Sequence, residues 1–188
     1  MINKNKVFNT ILFWVIIALF LIPQTRTPIQ VFFHKALSWI IKPSVIEKDK
    51  QLILSNYNWE LIDIYGKDYN LSSAKNKVIV INFWATWCPP CIAEMESLNE
   101  LNSLYKNDVE FLFISNEKPE IILSYLNKNK YNFNVYYPKT KFPLDLNILS
   151  IPRTFIINKK GNIVLDKTGA ANWSSDSIKN LINNLLID

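Results

Sequence analysis

The sequence predicts an α/β protein with a mixed central β-sheet and helices on both faces. The segment Val78–Trp84 is almost entirely β-branched and aromatic, which is typical of a strand buried on both faces. Strand-type and helix-type segments alternate after it, which favours parallel pairing. The segments Thr154–Asn158 and Ile163–Lys167 flank a turn that contains Gly161, which predicts a late antiparallel hairpin.

Hydrophobic periodicity and turn residues predict the other elements. An alternating segment that ends at Gly66 and resumes at Tyr69 predicts an additional β-hairpin before the buried strand. Pro89 suits the first turn of a helix, and Ser174 or Ser175 can cap the last one. In chain order, the further predicted elements are a hairpin of Trp59–Lys67 and Tyr69–Leu71, a helix at Pro89–Lys106, a strand at Val109–Ser115, a helix at Pro119–Lys130, a strand at Phe133–Tyr137, one or more helical turns at Leu144–Leu149 and a helix ending near Leu186.

Charge is unevenly distributed along the 188 residues. The net charge is +5, of which residues 1–49 carry +4 and residues 50–188 carry +1. A basic excess beside an apolar segment is expected near a membrane surface, and the rest of the chain has no basic stripe with interleaved aromatic residues. Nucleic acid is therefore not an expected partner. An apolar content of 49% suffices for one domain with an N-terminal appendage.

The N-terminal appendage begins with a hydrophobic segment. Lys4 and Lys6 precede an apolar run, Ile11–Ile22, whose 12 residues are fewer than the roughly 20 that span a bilayer. The length suits a signal peptide, but the residues that follow lack the small side chains of a cleavage site. We therefore predict that residues 1–27 are a membrane anchor or an uncleaved signal, with a cleaved signal as the alternative.

A second apolar stretch, Ile29–Ile41, follows the first. At helical spacing, its polar residues form one narrow line that includes His34 and Ser38. This pattern predicts an interfacial helix lying on a membrane. The alternative is a helix that packs on the domain or on a partner. Residues 28–50 are assigned to this helix and a linker, and residues 51–188 to the catalytic domain.

The only two cysteines, Cys88 and Cys91, are separated by Pro89-Pro90 at the start of a predicted helix. A helix N-terminus favours a thiolate, and this spacing allows a disulfide to close and reopen. The alternatives are a structural disulfide, which would restrain little chain, and part of a zinc site. The single histidine, His34, lies far from the pair in sequence. The pattern thus favours thiol–disulfide exchange, with no metal and no cofactor.

The segments Val80–Cys91, Glu94-Met95 and Ile151–Asn158 resemble the thioredoxin-like family, within it the membrane-anchored TlpA/ResA-like thiol–disulfide oxidoreductases. The resemblance covers about residues 50–188 and implies a thioredoxin fold. It implies that Cys88 is the attacking thiolate, that Cys91 is the resolving thiol and that Pro152 is a cis-proline facing the pair.

The resemblance also assigns residues around the cysteines. Substrate contacts are expected from Trp87, from the prolines between the cysteines and from the residues on either side of Pro152, namely Trp87, Pro89, Pro90, Ile151 and Arg153. Glu94 matches an acidic residue that could tune the cysteine pKa or shuttle a proton, and its alternative is a helix-dipole contact. Arg153 could favour the thiolate or select acidic partners, and its alternative is a solvated charge at a strand edge. Asn82 takes the place of the buried aspartate of classical thioredoxins.

The implied function is reduction of disulfides in extracytoplasmic proteins, for example apocytochrome c. The implied partners are a disulfide-containing protein and a membrane electron donor. The implied location is the bacterial cytoplasmic membrane, with a single N-terminal anchor and the catalytic domain on the periplasmic side. The alternatives are a disulfide-forming oxidant of the same fold, a thiol peroxidase and a non-catalytic docking module.

Overall fold

The computed structural model describes residues 4–146 and 148–187, so parts of the predicted anchor and of the predicted turn at Leu144–Leu149, and residue 188, lie outside the described residues. Two N-terminal helices precede a seven-stranded domain. The elements are α1 (Lys4–Leu21), α2 (Pro23–Ile40), β1 (Glu60–Asp63), β2 (Asp68–Asn70), β3 (Val78–Phe83), α3 (Pro89–Tyr105), β4 (Val109–Ile114), α4 (Pro119–Asn129), β5 (Val135–Pro138), β6 (Arg153–Ile157), β7 (Ile163–Thr168) and α5 (Asp176–Ile187), with short 3-10 helices at Lys48–Lys50 and Leu71–Ala74.

The strands form one mixed sheet in the order β2-β1-β5-β4-β3-β6-β7. Strand β3 pairs in parallel with β4 and antiparallel with β6, and it is buried along its whole length. Strands β4 and β5 are also parallel, whereas the hairpins β1–β2 and β6–β7 add antiparallel edges. The mixed sheet predicted from the alternation of segments is therefore confirmed.

The α-helices of the domain contribute to the core on only one face of the sheet. Buried side chains from α3, α4 and α5 share one cluster with Val78 and Val80 of β3. The alternate residues Ile79 and Ile81 face a second cluster, which is covered by loops, by Trp59 and by the 3-10 helix Leu71–Ala74. The prediction of helices on both faces is thus wrong for the α-helices. The reason is that the connections β3–α3–β4 and β4–α4–β5 run in the same direction across the sheet, so right-handed crossovers place both helices on one side.

The loop before β6 covers the second face without regular helix. Leu144 and Leu146 belong to turns and bends, with one hydrogen bond from Leu146 N to Pro143 O, at 3.0 Å. Leu146 is buried in the second cluster, whereas Leu144 is exposed. The predicted helical turns are therefore replaced, in the described part of this loop, by an irregular segment that inserts a single leucine.

The N-terminal helices meet at Ile22. Among the described residues no single helix is both long and apolar enough to cross a membrane, although Phe8–Leu19 and Gln24–Ile40 meet that test as a pair bent by 86°. Helix α2 packs against α3, which is the alternative that its sequence left open. The following segment also lies on the domain, because Ile46 N donates to Val164 O at 2.8 Å.

Candidate active site

The two cysteines lie where β3 passes into α3. Cys88 is the N-cap residue of α3, and Pro89 and Pro90 occupy its first turn. Prolines suit this position because the first N–H groups of a helix have no intrahelical partner. Cys88 and Cys91 form a disulfide, with their Cα atoms 5.2 Å apart. Pro89 and Pro90 have no N–H to donate, so it is the positive end of the helix dipole that stabilises negative charge on the Cys88 sulfur when the bond opens.

The turn before β6 forms the opposite wall of the site. The Ile151–Pro152 peptide bond is cis. The Ile151 carbonyl oxygen lies 3.9 Å from Cys88 Sγ. The Pro152 carbonyl accepts a hydrogen bond of 2.9 Å from Gly169 N, which ties the turn to the end of β7. The structure thus brings Cys88, Ile151 and Pro152 together from positions more than sixty residues apart in sequence.

Access to the two sulfur atoms differs from access to the surface around them. Cys91 is fully buried and Cys88 is 4% exposed, whereas the neighbouring Trp87 is 67% exposed. Beside Trp87 lies an apolar groove of about 290 Å³, whose wall includes Phe142 and Ile151. A partner protein can therefore contact Trp87 and the groove while its disulfide approaches Cys88.

A carboxylate fixes the loop that precedes Cys88. Glu117, just after β4, accepts hydrogen bonds from Thr86 N at 2.6 Å and from Thr86 Oγ1 at 2.7 Å. Glu117 was not among the site residues predicted from the sequence. The signal that could have found it is its place after a parallel strand, because the carboxyl ends of β3 and β4 meet at the same edge of the sheet.

Glu94 lies one helical turn after Cys91 and is 1% exposed. Its Oε1 accepts a hydrogen bond from Asn82 Nδ2 at 2.9 Å, and its Oε2 accepts from Trp173 Nε1 at 2.8 Å and Ala171 N at 3.2 Å. Burial raises the pKa of Glu94 to about 8, although the three donors act in the opposite direction. Burial therefore shifts the carboxyl group towards its protonated form at neutral pH.

Asn82 connects Glu94 to the strand that follows the cis-proline. Its Nδ2 also donates to Thr154 Oγ1 at 2.8 Å, and its buried Oδ1 has no protein partner in the described structure. Neither Thr154 nor Trp173 was predicted as part of the site. Trp173 lies 79 residues from Glu94, so no local pattern could indicate the contact.

Arg153 is held by the neighbouring strand. Its guanidinium donates to both carboxylate oxygens of Asp166, at 2.8 and 2.6 Å, and it lies over the ring of Phe155. Asp166 raises the pKa of Arg153 further above its ordinary value. The bidentate pair offsets the charge that was expected to act on the thiolate or on acidic partners. The Arg153 side chain is 15% exposed and β6 lies between β3 and β7, so it does not match a solvated charge at a strand edge either. In the described part of the chain, no group of three or more His, Cys, Asp or Glu residues could hold a metal ion.

Comparisons with known proteins agree with this geometry. Residues 54–182 match the model of the Redoxin family. The Bacillus subtilis thioredoxin-like protein YneN is 32% identical over 110 residues, 56% of this chain, and a Bacillus cereus thiol–disulfide oxidoreductase ResA is 34% identical over 110 residues, 57% of this chain. The chain spans only 65% and 64%, respectively, of the length of these two relatives.

Solved structures extend the likeness to the fold. The crystal structure of a candidate thiol–disulfide oxidoreductase from Bacteroides vulgatus is 33% identical, with a TM-score of 0.56, over 71% of this chain and 96% of that one. A DsbF homologue from Corynebacterium diphtheriae, 17% identical with a TM-score of 0.60 over 79% of this chain and 92% of that one, shares the fold. The thioredoxin-like fold and the TlpA/ResA-like resemblance are therefore confirmed.

Proposed function

Because the chain belongs to the Redoxin family, we propose that it is a thiol–disulfide oxidoreductase that reduces disulfides of proteins outside the cytoplasm. The observation that carries the proposal is the Cys88–Cys91 disulfide at the N-terminus of α3, with Cys88 Sγ 3.9 Å from the carbonyl before cis-Pro152. A reactive disulfide needs both a stabilised thiolate and a surface where a partner chain can dock.

The reduced protein performs the proposed reaction in two exchanges. The Cys88 thiolate attacks one sulfur of the substrate disulfide, that S–S bond breaks, and the other substrate sulfur leaves as a thiolate that takes a proton. Cys91 loses its proton and attacks Cys88 in the mixed disulfide that results. The bond between Cys88 and the substrate breaks, the Cys88–Cys91 disulfide re-forms, and the substrate sulfur leaves as a thiolate that takes a proton. Two electrons pass to the substrate, and a membrane electron donor returns them.

Glu94 acts in this proposal through Cys91 rather than on the substrate. Residues three apart on a helix lie on the same face, so the carboxyl group is placed beside the buried resolving cysteine. We expect it to tune the ionisation of Cys91 or to exchange a proton with it. Replacement by glutamine should change the pH profile of disulfide exchange, while a purely structural role would leave that profile unchanged.

The substrate is proposed to bind across the exposed end of α3. Trp87, Pro89 and Pro90 adjoin Cys88 on one side of the proposed binding surface. The backbone of Ile151 offers hydrogen-bonding groups on the other side. An extended segment around the substrate disulfide, as in apocytochrome c, fits such a surface. Arg153 is proposed to support this turn through Asp166.

The location is part of the proposal. Residues 1–27 would anchor the chain in the bacterial cytoplasmic membrane and residues 28–50 would lie at its surface, with the catalytic domain on the periplasmic side. The support is the apolar sequence of α1, whose Phe8, Ile11 and Trp14 are exposed, together with the basic excess of the first 49 residues.

The test is reduction of insulin disulfides by the full chain in detergent with dithiothreitol as electron source. Cys88→Ser should abolish the catalysed rate, because it removes the attacking sulfur. Cys91→Ser should instead accumulate mixed disulfides with the substrate, visible on non-reducing gels. A Cys88→Ser protein that remains as active as the wild type would contradict the proposal.

A further inference from the structure

Helix α2 turns its polar side towards the protein and its apolar side away from it, the reverse of an ordinary surface helix. A surface helix of a soluble protein turns its apolar stripe to the core and its polar face to water. In α2 the side chain that is buried is Ser38, 4% exposed, and His34 is half-buried. The large apolar side chains point outward, with Phe33, Trp39 and Ile40 between 63% and 78% exposed.

The inward side of α2 packs against α3, the helix that begins at Cys88. Ala93 of α3 is buried although it belongs to neither core cluster of the domain. Ala93 and Ser97 line one small cavity together with Lys35 and Ser38 of α2, which shows that these small side chains face each other. Lys35 Nζ pairs with Glu96 at 2.5 Å. Small residues at a helix contact let two helices approach closely, so α2 is fitted to this face of α3.

The outward side of α2 has the chemistry of a lipid contact. Large apolar residues on a soluble surface are normally exposed singly. Here five are exposed within nine residues, namely Phe32, Phe33, Leu37, Trp39 and Ile40. Arg26 and Lys42 flank this face, as expected beside anionic headgroups. Helix α1 leaves α2 at 86°, an angle that allows the apolar α1 to enter the bilayer while α2 lies in the membrane plane.

We infer that α2 is a two-sided connector, whose polar stripe binds α3 and whose aromatic face lies in the interface of an anionic lipid bilayer. The active-site helix is then held at a fixed distance from the membrane instead of on a flexible tether. This inference deepens the proposed function and rests on it for its consequence, that Cys88 meets an electron donor embedded in the same membrane.

Spin labels on the full chain test both sides of α2. The chain carries Cys88→Ser and Cys91→Ser, so that introduced cysteines are the only labelling sites, and it is reconstituted in vesicles of phosphatidylcholine and phosphatidylglycerol. A nitroxide at Phe33→Cys should be relaxed more strongly by oxygen than by a water-soluble nickel complex. A control label at Tyr65→Cys, in the exposed β1–β2 turn, should show the reverse. Stronger relaxation by nickel at position 33 would overturn the inference.

A second measurement tests the packing of α2 against α3. The distance between nitroxides at Phe33→Cys and Leu104→Cys should be a single narrow distribution, because both helices move as one body. Ala93→Glu should broaden it by placing a long charged side chain in the contact, whereas Ala93→Ser should not. A broad distribution in the parent chain, or no effect of Ala93→Glu, would overturn the inference.

These experiments distinguish failure of the inference about α2 from failure of the proposed function. The spin-labelled chain has neither active-site cysteine, so its distances do not depend on disulfide exchange. An inactive wild-type protein with a fixed α2 would remove the oxidoreductase proposal alone.

Discussion

At the scale of single residues, Glu94 is the side chain whose chemistry the fold changes most. Its carboxyl group is fully buried and receives three hydrogen bonds, yet its pKa is raised to about 8 because the loss of water outweighs those donors. A protonated carboxyl group one helical turn from Cys91 can supply a proton that an exposed glutamate would already have lost. The same burial makes stability depend on pH.

The prediction for Glu94→Gln follows from linkage. The unfolded carboxyl group, with a pKa near 4.5, loses its proton well below pH 8, whereas the folded one keeps it. The contribution of Glu94 to the free energy of unfolding is therefore fully present below about pH 4.5. It falls as the pH rises towards about 8, by up to about 1.4 kcal/mol per pH unit. Glu94→Gln should lack this decline in urea unfolding of the full chain in detergent.

The matched control for this prediction is Glu100→Gln, which changes an exposed carboxylate on the same helix. It should keep the wild-type slope. An equal slope in the wild type and in Glu94→Gln would show that Glu94 titrates in the folded protein as it does in the unfolded chain.

A second residue-scale prediction concerns the loop before Cys88. Thr86→Val removes the hydroxyl that donates to Glu117 at 2.7 Å, while it keeps the branched shape and the backbone hydrogen bond. A hydrogen bond to a charged group contributes about 1.5–3 kcal/mol to the free energy of unfolding. We expect a loss of this size in urea unfolding, against almost none for Thr168→Val at an exposed strand position.

At the scale of elements, local pattern predicted most of the fold. The bounds of β3, β4, α3 and α4 differ from the predicted ones by a single residue, because their apolar periodicity and flanking prolines are local properties. The side of the sheet on which the helices pack depends instead on strand order, which periodicity does not specify.

In the candidate site, too, local sequence patterns predicted some residues, whereas contacts between distant segments could not be predicted. Cys88 and Cys91 could be recognised because they are close in sequence and lie at a helix start. The contacts of Glu94 with Trp173 and of Asn82 with Thr154 join segments more than seventy residues apart. The pairing of Arg153 with Asp166 depends on the register of β6 against β7, which the sequence alone did not specify.

The turn between β6 and β7 supports a prediction at this scale. Gly161 has φ +88°, and an added Cβ would lie 2.9 Å from Tyr57 Oη. Gly161→Ala should therefore lower the free energy of unfolding by about 1–2 kcal/mol for the left-handed backbone, with an added part for displacement of Tyr57. Gly66→Ala is the matched control, since Gly66 has the same φ and open space around it.

Urea unfolding of the two alanine variants separates the two contributions. The loss in Gly66→Ala measures the backbone cost alone, and Gly161→Ala should exceed it. Tyr57→Phe in the Gly161→Ala background should recover the difference. Equal losses in the two alanine variants would contradict the predicted contact with Tyr57.

At the scale of the whole molecule, the arrangement separates binding from electron transfer. The surface around Trp87 that we propose for the partner is exposed, whereas Cys91 and Glu94 lie beneath it and are buried. Helix α3 links these layers, since it begins at Cys88, carries Glu94 on its inner side and receives α2 on its outer side. A change at the α2 contact can therefore alter the orientation of the site without altering its chemistry.

The reduction potential of the Cys88–Cys91 pair decides the direction of exchange. A strong oxidant has a stabilised reduced form, as DsbA does at about −120 mV, whereas thioredoxin lies at about −270 mV. Here the helix N-terminus favours the thiolate of Cys88, but complete burial of Cys91 disfavours a second charge. We expect a potential near or below about −250 mV. It can be measured by tryptophan fluorescence in dithiothreitol or glutathione buffers, with the Cys88→Ser protein as the control that should show no transition. A potential near about −120 mV would instead identify an oxidant that forms disulfides, and the proposed reductant role would be wrong.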